Sequence, residues 1–217
     1  MNQSRKEHAK SFLIDRNWQE MCAWAQNDRG AGRQLSSLLL DNEPLIRWRA
    51  IEALGQFAIL KAQSRDLELI RRMMRRLMWG MNDESGSVIW NAPEAMAEMA
   101  VCVPKLIDKY AEIVAAHYDL EPFPRGVHWG MARIASVRAG IFADFRSMLK
   151  NALHNDDAYI RAHASLTLGR MGETSVKDRL QELTEDQTPF EVYDLSNGNF
   201  RTATVSEYAQ EALELLP

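Results

Sequence analysis

The stretch DNEPLIRWRAIEALGQFA, residues 41–58, sets the architecture of this chain. It aligns without gaps with DESGSVIWNAPEAMAEMA, residues 83–100, and again with NDDAYIRAHASLTLGRMG, residues 155–172. Trp48, Trp90 and Trp129 recur at a period of about 40 residues with no strand-like alternation. That is the mark of stacked helical units, each of which buries its apolar side only against its neighbours.

Working outward, the spacing predicts helices in pairs. First helices fall at 33–40, 66–79, 104–118, 142–154 and 175–184, and second helices at 44–58, 87–101, 127–141, 158–171 and 205–216. Residues 1–30 are read as N-terminal covering helices, with Phe12, Leu13, Trp18, Cys22 and Trp24 as apolar contacts, because a terminal repeat has an uncovered outer side. Pro44 suits the first turn of its helix, where its missing N–H has no partner to lose. Ser87 is placed to cap the next second helix, which puts Pro93 in that helix's second turn and predicts a kink there. EPFPRG, before the Trp129 copy, predicts a bend over 119–126. Phe190, Val192 and Tyr193 on one side of Asn197-Gly198, and Phe200 and Thr202 on the other, predict a β-hairpin inserted at 188–203.

The fold class expected is therefore all-α: a right-handed α-α superhelix of about five helical pairs in a single domain, 1–217. The repeats occupy 31–187 and 204–217, with the hairpin between them. A chain of 217 residues buries about 70% of the surface its unfolded form exposes, so no metal or disulfide staple is required. Cys22 and Cys102 lie in apolar helical contexts and read as small buried thiols of a reducing compartment. The polar start MNQSRKEHAK, with no apolar run after it, gives the expectation of no signal peptide. No apolar run approaches a membrane span, and a cytoplasmic location is expected. The net charge of −4 disfavours general binding to nucleic acid.

The aligned copies resemble HEAT repeats of the phycobilisome-lyase type. The residues that carry the resemblance are Asp41, Ile46, Arg47, Ala50, Ala53, Leu54 and Gly55, and again Asn155, Ile160, Arg161, Ala164, Leu168 and Gly169. The last pair keeps Val205, Ala209, Ala212 and Leu213. The second copy has Ile89 where Arg is usual. The resemblance implies that second helices line a concave surface and that Arg47 and Arg161 make structural contacts between repeats. It implies no single function, since such repeats serve scaffolds, lyase subunits and enzymes.

At about 100° per residue, Ile46, Ala50, Ala53, Leu54 and Phe57 face the core while Trp48, Glu52 and Gly55 lie opposite. The matching positions are Trp90, Glu94 and Ala97, then Trp129, Arg133 and Ser136, with Ala162, Leu166 and Gly169 continuing as an apolar floor. The candidate partner-binding residues are accordingly Trp48, Glu52, Trp90, Glu94, Trp129 and Arg133, on an aromatic-lined groove for a protein or peptide. The competing account has each indole filling space between adjacent repeats.

No catalytic signature, cofactor motif or metal-ligand spacing is present among His8, His117, His128, His154 and His163. His128 and His163 flank the groove positions and read as surface or satisfied histidines. On IRRMMRR, residues 70–76, the arginines Arg71, Arg72, Arg75 and Arg76 read as a solvated outer face, with an acidic or phosphate partner as the alternative. The function expected is a non-catalytic adaptor or assembly factor. Two alternatives are carried: a bilin-lyase-like subunit holding a tetrapyrrole, and a HEAT-like DNA glycosylase using Trp48 with Glu52 or Trp90 with Glu94. The Glu-rich groove argues against the latter, because a phosphate backbone needs several cationic contacts.

Overall fold

A computed structural model describes residues 2–82 and 88–217. Two covering helices, α1 (Asn2–Ile14) and α2 (Trp18–Asn27), precede five pairs. The pairs are α3 (Ala31–Ser37) with α4 (Pro44–Gln63), α5 (Leu67–Met81) with α6 (Ala92–Cys102), α7 (Ile107–Ala115) with α8 (Pro124–Ala135), α9 (Arg146–Ala152) with α10 (Ala158–Arg170), and α11 (Lys177–Leu183) with α12 (Val205–Glu214). A two-stranded antiparallel hairpin, β1 (Pro189–Asp194) and β2 (Asn199–Thr204), separates the last two helices. The helical-repeat class and the hairpin expected from the spacing are both present.

The chain groups into two compact units, residues up to Leu106 with 195–198, and 107–194 with 199–217. In the first, α4 packs on α6 and α5 and is also met by α1, α2 and α3. Ala50, Ile51, Ala53, Leu54, Gly55 and Phe57 are all buried, so α4 is covered on more than its core arc. In α6 every residue from Ala92 to Ala100 is buried. A helix apolar all round is an interior helix. In the second unit α10 packs on α8, α9 and α12, and is buried throughout except at Arg161 and its last residue.

Helix starts follow local chemistry. Asp66, Asp157 and Thr204 accept hydrogen bonds from the backbone N–H groups of Leu69, Tyr159 and Glu207, filling positions that the first turn leaves unpaired. Pro44 stands in the first turn of α4 as expected. The second copy differs: α6 begins at Ala92, not 87, so Pro93 falls in its first turn, where proline removes no helical hydrogen bond. The predicted kink is absent for that reason. The expected cap Ser87, and Asp83, lie outside the described residues. The first helices of the last three pairs open with 3-10 turns at Pro104–Leu106, Ala139–Phe145 and Thr174–Val176.

Arg47 reaches back from α4 to donate through Nη1 to the carbonyl oxygens of Asp41 (2.8 Å) and Asn42 (3.3 Å). Arg161 does the same from α10, to Asn155 (2.7 Å) and Asp156 (2.9 Å), and adds an ion pair of 2.7 Å with Asp186. Both arginines close the turn that enters their helix, the same contact in two repeats. The cysteines correct another expectation: Cys22 and Cys102 are free but only half-buried.

In the hairpin, Asp194 pairs with Asn199, leaving 195–198 as a four-residue turn. Gly198 adopts φ +72° there, a left-handed conformation that glycine takes without steric cost. A bare hairpin is marginal in water; this one is anchored by Phe190, whose ring lies 5.5 Å from Tyr159 and 5.4 Å from Tyr208. Among the described residues no helix is long and apolar enough to cross a membrane.

Candidate binding surfaces

The six sequence-derived positions divide between the units, and their surroundings differ. In the first unit Trp48 is half-buried on α4. One turn on, Glu52 is only 7% exposed, because Arg16 covers it: Nη2 lies 2.8 Å and Nε 3.3 Å from Glu52 Oε2. Arg16 Nη2 also donates to the carbonyl of Leu195, and Arg49 donates to those of Leu13, Ile14 and Gly198. Sequence reasoning placed Glu52 on a groove wall. The structure instead gives its carboxylate an internal partner from the turn between α1 and α2.

Trp90 is different. It sits in the turn that enters α6, and its side chain is 66% exposed. Asn91 Nδ2 donates to Glu94 Oε1 at 2.9 Å, while Glu94 Oε2 has no hydrogen-bond partner. Burial pushes the Glu94 carboxyl up to about 7, against the pull of its hydrogen bonds and of Arg47. Glu94 is thus an interior group, not a presented one. Farther along α6, Glu98 accepts from Cys102 Sγ at 3.4 Å.

In the second unit the structure corrects the exposure expected of Trp129, which is 5% exposed on α8. Arg133, one turn on, is half-buried. The expected apolar floor is likewise interior: Ala162 and Leu166 are buried, and Gly169 is in contact with α12. His163 is buried, stacks on Tyr159 at 4.1 Å and bonds through Nδ1 to that residue's carbonyl. Burial lowers it to about 3, so it is neutral. His128 is buried too, with Nδ1 on the Pro124 carbonyl and Nε2 unpartnered. Among the described residues no three His, Cys, Asp or Glu side chains gather as metal ligands do.

Two hollows were not anticipated. One, of about 560 Å³ in the second unit, is lined by Arg125, His128, Asn151 and Asp157, with Arg125 Nε 2.5 Å from Asp157 Oδ2. The other, of about 860 Å³ in the first unit, lies between α3 and α5, on the first-helix side. Its signal was partly legible: IRRMMRR was noted, but what faces it across the groove was not.

The sequence matches no model of a known protein family. It is 26% identical over 163 residues to an uncharacterised protein of Archaeoglobus fulgidus, covering 74% of this chain and 85% of that protein. Among solved structures, a designed armadillo repeat protein superposes with a TM-score of 0.55 at 19% identity, covering 96% of this chain and 93% of its own. An engineered protein gives 0.59 at 16% identity, with 99% and 91% covered. A computationally designed armadillo repeat protein for modular peptide recognition gives 0.51 at 18%, with 97% and 99% covered. The fold is that of an armadillo-like helical-repeat solenoid.

Proposed function

We propose that this chain is a non-catalytic binding module for a protein or peptide partner, an adaptor or assembly factor, with Trp90 as its main contact on the second-helix side and Trp48 as a secondary one. The observation that carries this is the exposure of Trp90 at 66%. A tryptophan offers about 150–250 Å² for burial and is among the residues that dominate interface energies. Trp90 sits in the turn that enters α6, which the Ala92 N–H closes onto the Ile89 carbonyl at 2.9 Å. Support comes also from the scaffold: similar structures include armadillo proteins designed for peptide recognition, one of them in complex with the peptide (KR)4. The phycobilisome-lyase type of repeat remains our assignment from the Arg47 and Arg161 pattern.

Affinity capture from the source organism tests it, comparing the wild type with Trp90→Ala and with Trp48→Ala plus Trp90→Ala. Loss of the same specific proteins from both variants, with helix content unchanged, is the expected result. Capture indifferent to both substitutions would refute it.

A further inference from the structure

The hollow between α3 and α5 has a regular build. From the α3 side come Arg29 and Arg33, then Ser36, Ser37 and Leu40; from α5 come Leu69, Arg72, Met73, Arg76 and Leu77. The α5 set follows the i, i+3, i+4, i+7 spacing of one helix face. On the other side Arg29 lies in the turn before α3, Arg33, Ser36 and Ser37 on α3, and Leu40 in the 3-10 turn that follows it. Each wall carries two arginines, Arg72 and Arg76 one helical turn apart on α5, Arg29 and Arg33 at the start of α3, and all four side chains are exposed. None of the four has a hydrogen bond or ion pair among the described residues, and no described carboxylate lines the groove. The neighbouring Glu68 is ion-paired with Arg71 and Arg75 (3.8 and 2.7 Å) and feels Arg72 only through space. The serine hydroxyls are turned inward, onto the carbonyls of Gly32 and Gln34.

Between the arginine pairs the floor is apolar. Met73 and Leu77 are buried beneath it, while Leu40 and Trp79, 58% and 66% exposed, stand at its margins. Gly32 brings α3 close to α5: a Cβ there would meet Met73 Sδ at 3.0 Å and Phe57 at 3.1 Å. The groove is thus shaped by its own packing.

We infer that this groove binds an acidic amphipathic helix of a protein partner, its apolar stripe on Met73, Leu77 and Trp79 and its flanking carboxylates on the paired arginines. Four cations with no hydrogen-bonded or ion-paired partner among the described residues attract carboxylates and disfavour cationic ligands in a concave site. Apolar anchors at i, i+3, i+4 and i+7 are what a helix lays into such a groove. Arginine favours carboxylates through its planar fork of donors. A phosphate backbone would use the arginines but leave the aliphatic floor uncovered. Ile89, the residue before Trp90, also lines this groove, but the inference rests on the arginines and the apolar floor and does not need the Trp90 contact.

The test is selection of binders from a displayed library of random 16-residue peptides, followed by synthesis of the enriched peptides. The expected winners carry apolar residues at helical spacing flanked by Asp or Glu. Their binding should weaken at least tenfold with Arg72→Glu plus Arg76→Glu, and separately with Arg33→Glu on the opposite wall. It should fall with added salt. Circular dichroism of each variant guards against misfolding, and Trp79→Phe should remove any binding-induced fluorescence change. Winners without acidic residues, or binding indifferent to the charge reversals, would overturn the inference. So would tighter arginine-dependent binding of oligothymidylate than of the peptides, or dimerisation of the chain itself abolished by the same reversals.

Discussion

Gly169 on α10 lies so close to Ala212 on α12 that a Cβ added to it would stand 2.6 Å from the Ala212 Cα and its carbonyl oxygen. The obstacle is backbone, so a side chain cannot swing aside to relieve it. Gly169→Ala should destabilise the fold by about 1–3 kcal/mol through overpacking, although alanine is the better helix former. Gly140 has nothing within 4 Å of the same added atom, so Gly140→Ala should be neutral or stabilising by up to about 1 kcal/mol. Urea unfolding of both variants checks the contrast; equal effects would mean α10 and α12 are not in that contact.

Trp129 and Trp90 were assigned the same repeat position, but one lies within α8 and the other before α6, and they should behave oppositely. Trp129→Ala empties a buried site and should cost about 3–5 kcal/mol. Trp90→Ala removes an exposed ring and should stay within about 0.5 kcal/mol. Thermal or denaturant midpoints of the two variants decide it, and a Trp90→Ala loss as large as that of Trp129→Ala would place Trp90 in the core.

Glu94 makes stability depend on pH in a defined direction. Its carboxyl rises from 4.5 to about 7 on folding, so between those values the folded state holds a proton the unfolded state has released. Its contribution is complete below about pH 4.5, is lost as pH rises through about 7, and changes little above that. Glu94→Gln keeps the shape without the charge. The variant should gain on the wild type by on the order of 3 kcal/mol between pH 4 and pH 8. The opposing slope from the neutral buried His163 is present in both proteins and cancels in the difference. A constant difference across that range would show that Glu94 is ionised in a solvated site.

Helix pairs and the hairpin were legible because each rests on short-range signals, the 40-residue repeat with Pro44 at a helix start and Asn197-Gly198 at the turn. Arg47 and Arg161 were expected to join repeats, whereas both bond to the turn that enters their own helix and only Arg161 adds a partner, Asp186, from beyond it. The candidate site was less so. Assigning Trp48 and Glu52 a common open face needed only helical angle, but what covers that face comes from Arg16, 36 residues away, and from Leu195. Likewise Trp90 was given a helical phase although α6 starts two residues later. Angle alone does not separate a groove from the interior, and Trp129 is buried. The arginine groove required knowing that Arg29, Arg33, Arg72 and Arg76 line one hollow, which no single element's sequence shows.

The most direct test of Trp90 as the partner contact is site-specific photo-crosslinking in the source organism. A benzophenone amino acid would replace Trp90 and, as an exposed control, Leu215. A light-dependent adduct with a discrete protein at position 90 and not at 215 is the result expected. No adduct at 90 beyond that seen at 215, in a chain that folds normally, would contradict a partner-facing Trp90.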